Sequence, residues 1–178
     1  LEVPAVRLYH DNVLAKQAGC GRTPWHFDDH HFPLDTNDVV TAWAPAQPIP
    51  LEMGPLSFAY PLDVHKLVNA VTFKKTGTGY DRGVSDVFSK NNVSVNETPF
   101  ELGEVSFHHN LNFHTASSNR TNRSRVALAN TYYRDGARVV NSPTMVSGDW
   151  QKFMPNVKPG DVAASPLNPI CWPVKDKS

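Results

Sequence analysis

Cysteine is scarce: Cys20 and Cys171 are the only two in 178 residues. Two thiols in a chain of this size make no disulfide framework, so they read as free thiols in a reducing, cytoplasmic compartment. Charge of one sign is also lacking. Seventeen Lys and Arg balance seventeen Asp and Glu, and no basic stripe offers a surface to nucleic acid. No apolar run approaches the roughly 20 residues that span a bilayer, which argues against a membrane partner. No signal-peptide pattern is visible at Leu1. Helical periodicity is rare, and the strand–helix–strand alternation of a parallel sheet is missing. What is left is an ordinary globular composition of a size that suits one domain over residues 1–178.

Fifteen prolines and ten glycines are spread through the chain, as short strands joined by turns require. Residues 5–16 read as a strand, with Val6, Leu8 and Leu14 on one parity. Residues 17–24 form a loop, 38–44 a second strand ended by Pro45, Pro48 and Pro50, and 56–60 a third after the Gly54-Pro55 turn. Residues 62–92 are the least regular, with a short helix near 64–71 and then a Gly-rich polar loop of a length typical of lids. Strands are predicted over 100–107 and 110–114. The clearest strand is 124–133, where Arg125, Ala127, Ala129, Thr131 and Tyr133 share one face and Val126, Leu128, Asn130 and Tyr132 the other. Beyond residue 142 the chain is proline-rich, with Trp150 and Trp172 as packing anchors. The even spacing of short strands predicts an all-β sandwich or jelly roll. If Val126 and Leu128 face outward they need a cover, expected from Trp150, Phe153 or Trp172. The Asn-x-Ser/Thr triplets at Asn92, Asn96, Asn119 and Asn122 read as chance occurrences.

Against this background one stretch stands out. Thr23-Pro24-Trp25-His26-Phe27-Asp28-Asp29-His30-His31-Phe32-Pro33 packs three histidines and two carboxylates into eleven residues. In extended backbone, residues two apart point the same way, so His26 and Asp28 converge. With one more histidine they make a 2-His-1-carboxylate set of the kind that holds iron(II) and leaves positions open. Candidates for that third ligand are His10, His65, His108, His109 and His114. His114 closes a strand and precedes a turn, a place suited to the mouth of a barrel. Arg125 follows eleven residues later, with the small Ala127 and Ala129 beside it on the same face. A buried arginine requires an anion, and its fork takes a carboxylate bidentately. 2-Oxoglutarate fits, with one end on iron and the other on Arg125. His30 shares parity with His26 and Asp28 and is a candidate for substrate contact, as is His65 in the loop after the third strand.

The ordered pieces Trp25-His26-Phe27-Asp28, Val40-Thr41-Ala42-Trp43, Gly54-Pro55-Leu56, Gly103-Glu104-Val105-Ser106-Phe107-His108, His114 and residues 119–125 together resemble the phytanoyl-CoA dioxygenase family of iron(II)/2-oxoglutarate oxygenases. The resemblance implies a double-stranded β-helix with iron at its mouth. It implies His26, Asp28 and His114 as metal ligands, Arg125 as partner of the distal carboxylate, Trp43 lining the co-substrate site and Thr23 touching it. It implies hydroxylation of a small organic molecule by dioxygen, with release of succinate and carbon dioxide. Halogenating relatives lack the carboxylate that Asp28 supplies here.

Three departures from the family pattern bear on the site. Ala116 stands where a hydroxyl donor is usual, with Thr115 or Ser117 as substitutes. Residues 59–65 replace the usual turn at the substrate entrance. The helical region that usually precedes the first strand is not in this sequence, so the chain reads as a minimal member or a fragment. The rival readings are a cupin-like metal enzyme without 2-oxoglutarate, against which Arg125 argues, and a non-catalytic jelly-roll binding module, against which the full ligand set argues.

Overall fold

In the computed structural model, which describes residues 1–69, 71 and 79–173, two antiparallel sheets pack face to face. The elements in chain order are β1 (Val6–Lys16), β2 (Thr23–His26), β3 (Val39–Pro45), β4 (Leu56–Tyr60), α1 (Val64–Leu67), α2 (Gly79–Lys90), β5 (Ser94–Glu97), β6 (Ser106–His109), β7 (His114–Ala116), β8 (Arg125–Arg134) and β9 (Ile170–Trp172). One sheet has the order β6-β3-β8-β1-β9 and the other β2-β7-β4-β5. This is the two-sheet jelly-roll arrangement expected from the strand spacing, the double-stranded β-helix that the family resemblance implied.

The alternation along β8 sets the interior. Arg125, Ala127, Ala129, Thr131 and Tyr133 are all buried, and the residues between them face outward. β8 pairs with β3 so that Tyr133 lies opposite Val39, Thr131 opposite Thr41 and Ala129 opposite Trp43. Paired residues share a face, so the interior is layered. Val39 and Tyr133 join Tyr9, Leu34, Trp150 and Met154 in one apolar cluster. Trp43 and Ala129 join Ile49, Met53, Leu56, Ala116 and Ala127 in another. Between them lies a polar layer, where the Thr41 and Thr131 hydroxyls are 3.0 Å apart. That layer opens into the cavity described below.

Several local expectations are corrected. β1 carries a bulge between Leu8 and His10. Val6 and Leu8 therefore face outward with Arg134 and Tyr132, while His10, Asn12, Leu14 and Lys16 face inward opposite Thr131, Ala129, Ala127 and Arg125. One extra residue moves every later side chain to the other face, so Val6 and Leu8 do not share a face with Leu14. The segment after His26 does not stay extended, since Asp28–His31 is a 3-10 turn. The part of the expected polar loop that falls on residues 72–78 lies outside the described residues, and the rest is α2. Tyr80 and Val84 of that helix are buried with Ala59, Val64, Val68 and Phe113. The predicted strand over 100–107 is reduced to β6 and an isolated bridge between Phe100 and Ile49. The predicted strand over 110–114 begins only at His114, because Asn110–Phe113 turn to hold the metal segment. β5 had no sequence signal, and all four of its residues are exposed.

Among the described residues, Trp150, Phe153 and Trp172 do not supply the expected cover over Val126 and Leu128. Leu128 is 40% exposed. Trp150 and Phe153 pack instead with Tyr9 and Tyr133 at the end of the sandwich, and Trp172 pairs along β1 opposite Val6. The tail takes this path because Tyr133 Oη donates to Ala163 O and Asn168 Nδ2 donates to Leu8 O and Tyr9 O. These bonds lead it across the end and along the edge of β1.

Gly54 closes the opposite end. Its φ of 74° is left-handed, and a Cβ there would lie 2.2 Å from Ser117 O. The adjacent Gly54 carbonyl accepts a hydrogen bond from Arg125 Nη1. Gly54→Ala is expected to cost about 3 kcal/mol of stability, from positive-φ strain plus displacement of backbone. Urea unfolding checks this, and a loss below about 1 kcal/mol would show that the chain relaxes freely there.

Candidate metal centre

His26 ends β2 and His114 begins β7, and the two are register partners across that strand pair. Neighbouring antiparallel residues on one face are held close, and here the ring centroids are 4.2 Å apart. Asp28 arrives from the turn that follows. The N–H groups of Asp28 and Asp29 both donate to Asn110 O, at 2.8 and 3.1 Å, and Asn110 Nδ2 donates to Asp29 Oδ1 at 2.8 Å. Asn110 thus pins the turn from across the structure. One donor atom each from His26, Asp28 and His114 lies within 4.8 Å of the others.

The imidazoles are oriented for the purpose. His26 Nδ1 lies 2.8 Å from Pro24 O and His114 Nδ1 lies 2.9 Å from Asn112 O. A carbonyl only accepts, so each Nδ1 carries the proton and each Nε2 presents its lone pair. Those Nε2 atoms stand 3.7 and 3.8 Å from Asp28 Oδ1. The other carboxylate oxygen, Oδ2, is 3.6 Å from His108 Nε2. His108 is buried, with Nδ1 3.4 Å from Ser106 Oγ. Burial pushes the Asp28 carboxyl up, but His108, His114 and His26 outweigh it and hold it well below the usual carboxylate range. Burial, then the neighbouring His26, drives His114 down to about 3, and burial likewise lowers His26. The set is two neutral imidazoles and one carboxylate, the protonation state a divalent metal needs.

Those shifts predict an acid-labile metal-free protein. Burial lowers His10, His26, His109 and His114. Below pH ~6.5 the unfolded chain takes up protons that the folded chain refuses, so stability falls as pH falls. The deeply buried His26 and His114 each contribute a slope of up to about 1.4 kcal/mol per pH unit, and the more exposed His10 and His109 contribute less because solvent screens them. Asp28, lowered in the same sense, adds to the loss only below its ordinary range near 3.8. Thermal unfolding of chelator-treated protein should show the melting temperature dropping from pH 7.5 to pH 5. A flat profile would mean that these imidazoles are protonated in the folded state.

The three groups sit in a cavity of about 330 Å³ that also reaches Thr23, Trp43 and Arg125. Arg125 is buried on β8, its Cζ 5.4 Å from the Trp43 ring centroid. Its Nε is buried without a partner. Unpaired buried donors of a charged group are costly, and an anion at this end of the cavity would offset that cost. Thr115, Ala116 and Leu56 line the wall between. The hydroxyls considered as substitutes at Ala116 are committed elsewhere: Thr115 Oγ1 donates to Thr23 O and Ser117 Oγ donates to Glu97 at 2.7 Å.

A profile of the phytanoyl-CoA dioxygenase family matches residues 3–127. The chain belongs to the phytanoyl-CoA dioxygenase family. No curated protein sequence matches it. Among solved structures it is similar to the non-heme alpha-ketoglutarate-dependent carbocyclase SnoK of nogalamycin biosynthesis, with 24% identity and a TM-score of 0.71 over 93% of this chain and 62% of that one. It is similar to the epimerase SnoN in complex with Fe3+, alpha-ketoglutarate and nogalamycin RO, with 22% identity and a TM-score of 0.71 over 93% of this chain and 65% of that one. It also resembles the non-heme monooxygenase ThoJ in its nickel complex, with 19% identity and a TM-score of 0.57 over 89% of this chain and 58% of that one. The chain therefore spans less than two thirds of the length of these relatives. The family's cofactors fit what is present. The imidazole–carboxylate set suits iron(II), and the unpaired Arg125 Nε suits the distal carboxylate of 2-oxoglutarate.

Two sequence-predicted contacts fall outside this family-like cavity. His30 is exposed, its ring 4.2 Å from that of Phe27, because the 3-10 turn rotates it away. His65 also packs against Phe27, with ring centroids 5.3 Å apart and the rings tilted at 48°, and its Nδ1 is 3.1 Å from Leu62 O. His31 lines the cavity where His30 was expected, and His10, inward after the bulge, lines it too. The direction each faces is set by that turn and by the bulge in β1, neither of which periodicity carries. Lys16, buried opposite Arg125, is a further charged group that periodicity alone does not single out.

Proposed function

We propose that the protein is an iron(II)- and 2-oxoglutarate-dependent dioxygenase that hydroxylates a small uncharged organic molecule. One observation carries this reading: a carbonyl-oriented His26–Asp28–His114 set and an anion-seeking Arg125 share a single cavity. In this reading His26, Asp28 and His114 hold iron, Arg125 takes the distal carboxylate of 2-oxoglutarate, and Trp43 and Thr23 flank it. Bound there, iron supplies the activation of dioxygen, coupled to oxidative decarboxylation of 2-oxoglutarate. The products would be succinate, carbon dioxide and a hydroxylated substrate, with one atom of dioxygen in succinate and one in the substrate. The chain's own task is to orient the ligands, keep the co-substrate in one pose and exclude water. The apolar layers above and below the polar layer serve that last purpose.

In this reading the substrate occupies a second cavity of about 340 Å³. It adjoins the first, since Leu56 and His108 line both. Phe58, Tyr60, Leu62 and Phe107 form its apolar wall, and Asn96 and Asn112 add hydrogen-bonding groups. No Lys, Arg, Asp or Glu is among its lining residues, so an uncharged molecule is favoured over an acyl-CoA with its phosphates. The departure at residues 59–65 falls here. Carbocyclisation and epimerisation, named for SnoK and SnoN, are the competing outcomes of the same C–H cleavage.

Anaerobic addition of iron(II) and then 2-oxoglutarate should give a weak visible charge-transfer band. Full iron occupancy with no band would defeat the reading. Succinate release across a panel of uncharged metabolites and acyl-CoA esters then identifies the substrate class, and an oxygen-18 label from dioxygen in the product separates hydroxylation from its rivals.

A further inference from the structure

We propose that Lys16 is a second cation of the co-substrate clamp, a positioning residue whose charge adds to the preference for a 2-oxo acid with a distal carboxylate. The proposal rests on the reading of Arg125 given above and goes beyond it. Lys16 ends β1 directly opposite Arg125 of β8, on the same inward face. The two are 6% and 5% exposed, an unusual degree of burial for either residue type. Lys16 Nζ donates to Gly21 O at 2.8 Å, to Ser117 O at 2.9 Å and to Ala116 O at 3.3 Å. All three acceptors are backbone carbonyls. They satisfy the ammonium's donors and leave its charge unneutralised. Among the described residues, neither Lys16 nor Arg125 lies in an ion pair with a carboxylate.

Two adjacent buried cations without a counter-ion are an expensive arrangement. Something must offset it, and the geometry points to the ligand. Ala116, whose carbonyl holds Lys16, lines the cavity, as does Arg125. Lys16 itself stands just behind that wall. It acts on an anion at Arg125 through space, and Arg125 supplies the direct contact. The link to Gly54 supports this division of labour. The missing Cβ of Gly54 lets the Ser117 carbonyl approach, and that carbonyl holds Lys16, while the Gly54 carbonyl holds Arg125. One close backbone contact therefore sets both cations. Burial, and then Arg125, push the Lys16 ammonium down to about 8, so it remains charged at pH 7.

The test separates charge from mere stapling of carbonyls. Anaerobic iron(II)-loaded protein at pH 7 is titrated calorimetrically with 2-oxoglutarate and with 2-oxovalerate, the same 2-oxo acid without its distal carboxylate. Wild type should strongly prefer 2-oxoglutarate. Lys16→Met should weaken 2-oxoglutarate binding roughly tenfold or more, the scale of one unit charge a few ångströms away at intermediate dielectric. It should leave 2-oxovalerate unchanged, and Lys16→Arg should keep the preference. If Lys16→Met weakens both acids equally, or leaves their ratio at the wild-type value, Lys16 is only a structural staple and the proposal is overturned. Should Lys16→Met fail to fold, Lys16→Gln, which keeps a donor without the charge, carries the same expectation. A wild type with no preference between the acids would instead remove the Arg125 clamp, and this proposal with it.

Discussion

Asp28→Ala protein will fold and will lose its iron. The carboxylate is the sole anion of the three-group set, and its Oδ1 faces both His26 and His114. Removing it leaves two neutral imidazoles. Losing a residue that only supports a ligand costs up to about 100-fold in metal affinity, so losing the ligand itself should cost more than that. Folding should survive because the turn is held through the backbone of residues 28 and 29 by Asn110, and Asp29 keeps its own bond to Asn110. Anaerobic calorimetry with iron(II), beside circular dichroism, checks both halves. Wild-type affinity in a folded Asp28→Ala protein would move the metal away from this cluster. Asp28→Asn is the sharper companion, since it keeps the shape and loses the charge.

Arg125→Ala is the second large effect, and it should fall on the co-substrate alone. Truncating one partner of a buried, hydrogen-bonded charge pair costs about 3–4 kcal/mol, roughly 100- to 1,000-fold in 2-oxoglutarate affinity. Iron affinity should change by less than about threefold, because the arginine belongs to the other end of the cavity and makes no contact with His26, Asp28 or His114. Stability offers a further discriminator. An arginine retained for structure would bond a carboxylate and its loss would unfold the protein. Among the described residues its hydrogen bond is to Gly54 O and its Nε has no partner, and burial disfavours its charge. The unliganded variant should therefore melt within a few degrees of wild type. A large drop in melting temperature with intact 2-oxoglutarate binding would make Arg125 a fold residue.

Taken together, these variants treat the cavity as two ends with different physics. At one end neutral imidazoles and a carboxylate await a cation. Towards the other lie two buried cations, Arg125 on the cavity and Lys16 behind its wall. A 2-oxo diacid bound to a divalent metal satisfies both at once.

Local periodicity determined much of this protein. Alternation at a period of two requires only neighbours, so β8 and its inward Arg125 were legible, as were β3 with Trp43 and β4 after the Gly54-Pro55 turn. The order of His26, Asp28, His114 and Arg125 was legible as well. What the alternation cannot carry is an event that breaks it. The bulge at Tyr9 turned Leu14 and Lys16 inward, and the 3-10 turn at Asp28 exchanged His30 for His31 at the cavity. Asn110 selects that turn from 81 residues away, and the tail chooses the sandwich end over Leu128 through bonds to Leu8, Tyr9 and Tyr133. Each of these is a long-range hydrogen bond or a register shift, whose energy exists only once the strands are paired. The sequence by itself therefore supplied the candidate groups His26, Asp28, His114 and Arg125. The tertiary structure alone decided which way His10, Lys16, His30, His31 and His108 face.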